Sequence, residues 1–208
     1  MLKIHTLEDE IFRTYGQVLT GFDTAGLLRE AAKIPLPEEG SAYQTSTPAF
    51  EALPIAREIR DRCFGALPTQ VGYCWGRNFR MNAMEYHASP EINVAVTSFI
   101  LILGHRWDLR DGKVDSSAFR AFFVPKGTVL EVFATTLHFC PCQTAAAGFG
   151  CVVALPKGTN TPLEGPSPDP LLFKKSKWLL AHVDNEALIR KGASPAITGE
   201  NYDVSYEE

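Results

Sequence analysis

The sequence has no long hydrophobic run. Phe99 to Leu103 is its longest apolar stretch, far short of the roughly 20 residues that span a bilayer as a helix. The N-terminus, MLKIHTLEDE, lacks an apolar core and is not read as a secretory signal. Charge of one sign is also lacking. Twenty basic and 24 acidic residues are well mixed, for a net charge of −4. With no basic block or Lys/Arg-rich helix, nucleic acid is excluded as an expected partner. Cysteine pairing is poorly supported: five cysteines (Cys63, Cys74, Cys140, Cys142, Cys151) are an odd number. Reduced thiols and a cytoplasmic location are the expectation. Missing too are a Gly-rich phosphate loop, a G-x-S-x-G elbow and a paired CxxC.

What remains is an ordinary globular balance, 45% hydrophobic and 21% charged over 208 residues. That length suits one domain with appendages. Residues 1–70 read as a helix and loop extension packed on the remainder of the chain. Asp23 or Thr24 is placed to cap a short helix, and Pro54 to open a second in which Ile55, Ile59 and Cys63 recur at spacing four. From about Val71 to Leu155 short β-prone runs alternate with turn residues, the pattern of an antiparallel sandwich or barrel. Pro125-Lys126-Gly127-Thr128 recurs as Pro156-Lys157-Gly158-Thr159, read as two similar turns with Pro at the first central position. Leu171 to His182 is a further apolar segment interleaved with Lys174, Lys175 and Lys177. Asp184 is expected to cap a last helix stopped by Gly192.

The chemistry concentrates on one strand face. Between 84 and 96 the even positions are mostly apolar, and the odd ones read Glu85, His87, Ser89, Glu91, Asn93, Ala95. Side chains two apart share a face. This polar, lysine-free face is either solvated or the lining of a cavity, and Ser89-Pro90 offers a break in its parity. Glu131, on an otherwise apolar strand, and His138, flanked by Leu137 and Phe139, add a carboxylate and an imidazole. Together they make a mixed N/O shell suited to Zn, Mn, Fe or Ni. Other candidates have two readings each. His105 sits at a barrel mouth or in a surface turn. Cys140 and Cys142 are a metal pair or structural thiols. Lys157 and Asn160 bind a substrate oxyanion or sit in a solvated turn. His5 and His182 are assigned to structure.

These residues resemble the cupin superfamily. Its first motif is His-x-His, three or four residues, then Glu; here Glu85-Tyr86-His87, three residues, then Glu91 keeps the spacing with Glu for the first His. Its second motif is Pro-x-Gly-x-x-His; here Pro125-Lys126-Gly127 matches, Leu130 takes the His position, and Glu131 and His138 come after it. Residues 80–205 are similar to a bacterial cupin family of unknown function. The likeness runs through Asn82-Ala83-Met84-Glu85-Tyr86-His87, Gly104-His105, Thr135-Thr136-Leu137-His138-Phe139, Leu155-Pro156-Lys157-Gly158-Thr159-Asn160 and Lys177-Trp178-Leu179. More distantly, the Glu-x-His stretch and the late His resemble the ureidoglycolate lyases.

The resemblance implies a mainly β fold: a single cupin-type antiparallel β-barrel (jelly roll) over 71–208, with N-terminal helices, a C-terminal extension and homodimer formation. The carboxylate-rich, lysine-free polar face leads to the expectation of a divalent-metal-dependent isomerase, epimerase or lyase acting on a small polyhydroxylated or keto acid. Glu85, His87 and His138 are the expected ligands, and Glu91 or Glu131 a further ligand or the catalytic base. His105, Lys157, Asn160 and Asn93 are expected on the substrate. The alternatives are an Fe(II) dioxygenase, for which two His and one carboxylate would serve, and a non-catalytic small-molecule binding module.

Overall fold

The computed structural model describes residues 2–204, so the acidic end of the tail lies outside the described residues. The chain is mainly β, in the barrel class expected, with sheets curled around an interior. The largest sheet has six strands, antiparallel throughout. In order they are Gly16–Leu19, Val129–Val132, Glu91–Ala95, Phe149–Pro156, Thr69–Gly76 and Ser41–Gln44. A second sheet is centred on Phe99–His105, flanked by Arg120–Val124 on one side and by Thr136–Leu137 and Cys142–Gln143 on the other. The third is built on Lys177–His182, which pairs with Leu172–Lys174, Ser194–Thr198 and Ala83–Tyr86.

The layering explains the one long apolar run. Phe99, Leu101 and Leu103 pack with Leu130, Phe149 and Val153 of the large sheet. The alternate residues Ile100 and Ile102 pack with Met84, Leu180 and Ile197 on the other side. A strand buried on both faces must be apolar at every position. Each such side chain contributes about 1.5–3 kcal/mol on burial. Gly104 continues the strand because a Cβ there would lie 2.5 Å from the Phe119 ring.

The outer face of the large sheet carries Ile92, Val94, Val152 and Ala154. The helices Ala25–Ala31, Pro48–Glu51 and Pro54–Cys63 cover it with Leu27, Phe50, Ile55 and Ile59. Pro54 opens its helix as expected. Asp23 accepts from the Ala25 N–H at 3.0 Å, whereas the Thr24 side chain makes no cap.

Three expectations are corrected. The N-terminal segment is more than helix and loop: Ile4–Thr6, Gly16–Leu19 and Ser41–Gln44 each supply an edge strand. Such strands are short and half exposed, so they carry little hydrophobic alternation, and they close edges that would otherwise be open. The last helix, Glu186–Arg190, is capped by Asn185, whose side chain accepts from the Leu188 N–H, and not by Asp184. In both Pro-Lys-Gly-Thr turns the proline carbonyl accepts from the Thr N–H. Proline is therefore the first turn residue, and Gly127 (φ 85°) and Gly158 (φ 97°) hold the left-handed third position.

Candidate metal centre

Glu91 and Asn93 lie on the inner face of the large sheet, opposite Val132 and Leu130 in register. Their neighbours Ile92 and Val94 face the helices, so the odd positions of this strand are interior. The polar face does not run as one strand. Ala83–Tyr86 belongs to the third sheet and Glu91–Ala95 to the large one, with the chain turning through Ser89-Pro90 between them. The two halves still converge. Glu85 and His138 form an isolated antiparallel bridge, Glu85 N–H to His138 O at 2.6 Å and His138 N–H to Glu85 O at 2.9 Å.

The result is a buried cluster of Glu85, His87, Glu91 and His138, whose ligand atoms all lie within 4.8 Å of one another. His87 Nε2 is 3.3 Å from Glu91 Oε2 and 3.8 Å from Glu85 Oε1, and His138 Nε2 is 3.5 Å from Glu91 Oε2. Tetrahedral bonds of about 2.1 Å set neighbouring ligand atoms ~3.4 Å apart, so the spacing fits a bound ion.

The tautomers fit as well. His87 Nδ1 is 2.7 Å from the Ser176 carbonyl, and His138 Nδ1 is 3.2 Å from the Thr136 carbonyl. A carbonyl only accepts, so each Nδ1 carries the proton and each Nε2 offers its lone pair inward. Both Nε2 atoms are buried without an aligned hydrogen-bond partner. Asn93 Nδ2 donates to Glu91 Oε1 at 2.8 Å, fixing that carboxylate with Oε2 free. A cavity of about 30 Å³, bounded in part by Glu85, Glu91, Asn93 and His138, leaves room for one ion or water.

The electrostatics are coupled. Burial pushes the Glu91 carboxyl up, but His138 and His87 outweigh it and hold Glu91 well below its usual range. Burial likewise opposes charge on His138, and Glu91 beside it turns the balance, raising the imidazole above its ordinary value.

A residue from the C-terminal extension completes the site. Lys177 is ion-paired with Glu85 Oε2, both nearly buried. The strand bearing Glu85 carries no lysine, but the neighbouring strand brings one. The signal was the alternation of Lys177 with Leu179 and Ala181, which puts the three on one face. Ser176, at the tip of the same hairpin (φ 55°), supplies the carbonyl that orients His87. Nothing in its residue type marks that role.

Other sequence candidates lie elsewhere. Glu131 points to the other face of its strand and accepts from Gln17 Nε2 at 2.7 Å, so the structure does not bring it to the cluster. His105 is stacked between Tyr15 and Trp107, with ring centroids 4.0 and 3.9 Å away, and its Nε2 is 3.2 Å from Thr14 Oγ1. Lys157 is exposed in its turn. Asn160 is buried and donates to the Tyr43 hydroxyl, which lines the cavities beside the cluster. Cys140 and Cys142 diverge, Cys140 toward those cavities and Cys142 into the core, so they do not chelate together. All five cysteines are free thiols. His182 bridges Gly199 O and the Asp184 N–H, a structural role.

A larger cavity of about 360 Å³ adjoins the cluster and shares Tyr43, Cys74, Glu85, Phe139 and Cys140 with the small one. Glu85 thus stands between ion-sized space and substrate-sized space. Among the described residues, no helix is long and apolar enough to cross a membrane.

A mainly β chain with two histidines and two carboxylates converging between its sheets is a barrel-type protein built around an interior polar site. The chain belongs to the family described as domain of unknown function DUF4867, whose profile matches residues 4–202. No functionally curated protein matches the sequence. Among solved structures it is similar to HygX from Streptomyces hygroscopicus with nickel, 2-oxoglutarate and hygromycin B bound. That match has 11% identity and a TM-score of 0.45, over 76% of this chain and 91% of that one. It is similar also to SnoK, a non-heme alpha-ketoglutarate-dependent carbocyclase from nogalamycin biosynthesis (12% identity, 97% and 98% covered, TM-score 0.44). A third likeness is to vicilin from Corylus avellana (9% identity, 79% and 41% covered, TM-score 0.37). Those ligands and activities are said of those proteins; the chemistry open to this chain is set by its own side chains.

Proposed function

We propose that this protein is a divalent-metal-dependent enzyme of the cupin type, catalysing an isomerisation, epimerisation or lyase reaction on a small polyhydroxylated or keto acid. The observation that carries this reading is the pair of buried Nε2 atoms, on His87 and His138, that have no aligned hydrogen-bond partner and face the Glu91 carboxylate, with Glu85 Oε1 3.8 Å from His87. Burying such groups without compensation is costly, and an ion among them is the simplest compensation.

His87, His138, Glu91 and the Oε1 side of Glu85 would hold the ion. When bound, it supplies Lewis-acid polarisation of substrate oxygens. The chain's own residues do the rest. Asn93 keeps Glu91 oriented. Phe139 lines both cavities beside the cluster. Lys177 lines the larger cavity and is held by Glu85, so its ammonium is placed to donate a hydrogen bond to a substrate oxygen.

Metal analysis of the purified protein, followed by titration with Zn, Mn, Fe and Ni salts, tests this. One ion per chain is expected, lost in His87→Ala and His138→Ala. Wild-type protein that holds no ion and takes up none would sink the proposal. Solvent deuterium incorporation into candidate sugars and keto acids, followed by NMR, then reads the reaction class.

A further inference from the structure

The walls of the larger cavity are chemically uneven. Phe139, Phe173, Leu179 and Leu188 make part of it apolar, and Lys174, Lys177 and Lys191 bring three cations. Among the described residues Glu85 is the one acidic residue lining it, and Lys177 already pairs with it. Neighbouring cations are matched on the surface: Lys175 pairs with Glu164 and Arg190 with Glu186. Lys174 and Lys191 have no carboxylate partner among the described residues. Lys174 is half-buried and Lys191 exposed at this cavity.

The hairpin sharpens the point. Lys174 and Lys177 are direct register partners across its two strands. Like charges directly opposite one another destabilise a sheet. Such a pair is relieved when an anion comes to lie against it.

We propose that this cavity takes a small substrate bearing an oxyanion, a carboxylate or a phosphate, and that Lys174 and Lys191 hold that group away from the metal cluster. The proposal rests on the reading of the cluster as a metal centre only for the direction in which the substrate lies. The anion sits at the lysines, the carbon skeleton passes the apolar wall, and the reacting end meets Glu85 and Lys177. Uncharged analogues are discriminated against, because they offer the lysines no charge-assisted contact.

The test compares three ligands on one carbon skeleton by calorimetry on the full chain: glycerol, glycerate and glycerol 3-phosphate. At least one anion is expected to bind about tenfold or more tightly than glycerol, as one charge-assisted contact allows. The tighter of the two anions identifies the oxyanion. K174E/K191E should erase that preference and K174Q/K191Q should weaken it, with unchanged thermal unfolding confirming that the variants fold. Equal binding of all three ligands overturns the proposal. So does absence of anion binding up to about 10 mM, or a preference that survives in K174E/K191E. Metal titration of the same samples keeps the two readings apart. Wild-type protein that prefers the anions but takes up no ion defeats the metal centre and leaves the oxyanion site standing. Protein that takes up the ion but shows no anion preference does the reverse.

Discussion

Lys177→Met separates the pair that joins the cluster to the larger cavity. The side chains of Lys177 and Glu85 are 13% and 12% exposed, so solvent screens them little. Methionine keeps most of the aliphatic stem and removes the ammonium group, which leaves the Glu85 carboxylate buried without its cation. Removing one partner of a buried ion pair costs about 3–5 kcal/mol, and the residual exposure argues for the lower end, ~3 kcal/mol. For a chain of this size a loss of 1 kcal/mol lowers Tm by about 2–4 °C, so metal-free Lys177→Met is expected to melt about 6–12 °C below wild type. The metal response should move the opposite way. With the imidazoles neutral, Glu85, Glu91 and Lys177 sum to one negative charge, and the variant to two. A divalent ion should therefore bind the variant more tightly, by about tenfold or ~1.4 kcal/mol. It should also recover more of Tm in the variant than it adds to wild type. Circular-dichroism melts with and without zinc, together with calorimetric titration, give both quantities. A metal-free Tm within about 2 °C of wild type, or weaker zinc binding in the variant, would refute the reasoning.

The same geometry sets further outcomes. Asn93→Leu removes the donor to Glu91 Oε1; metal affinity should fall about 10- to 100-fold, read by competition with a chelating dye. Glu131→Gln should leave metal affinity unchanged within error, since Glu131 bonds Gln17 on the other face; a loss above about tenfold would mean that the carboxylate reaches the site after all. Raised His138 contributes stability below its ordinary value of 6.5 and loses it as pH rises through the folded value. Lowered Glu91 contributes above 4.5 and loses it as pH falls through its own folded value. The Glu91–His138 pair therefore stabilises metal-free protein most between about pH 4.5 and 6.5. Metal binding needs a neutral His138, so the thermal shift produced by zinc should grow as pH rises past 6.5; a shift that is flat from pH 5 to 8 would contradict the assignment.

The barrel core was legible because burial on both faces writes itself into sequence. Phe99 to Leu103 is apolar at every position, and the flanking runs alternate. The Glu85, His87, Glu91 and His138 grouping was legible through motif spacing, even though the strand it was read on turned out to be two strands in different sheets. The convergence survives that break because Glu85 pairs backbone to backbone with His138. Glu131 misled because alternation gives a face only relative to its neighbours: Val129 and Glu131 look outward, and Leu130 and Val132 inward. Lys177 and the Ser176 carbonyl were hidden for another reason. They come from about 90 residues downstream of His87, and backbone carbonyls have no residue signature.

The Ser176 carbonyl has a consequence for how the protein would acquire an ion. The groups that make up and fix the cluster come from positions 85, 87, 91, 138 and 176, so during synthesis it cannot be complete until the last hairpin has emerged. Contacts that distant in sequence close late, because chain entropy must be spent before they repay it. A zinc finger gathers its metal while still unfolded and uses it as a nucleus. Here the imidazoles are oriented only by a finished fold, and an ion would arrive at a mould already set. The choice among competing metals would then fall to a fixed cavity rather than to the intrinsic affinity order of a floppy chain.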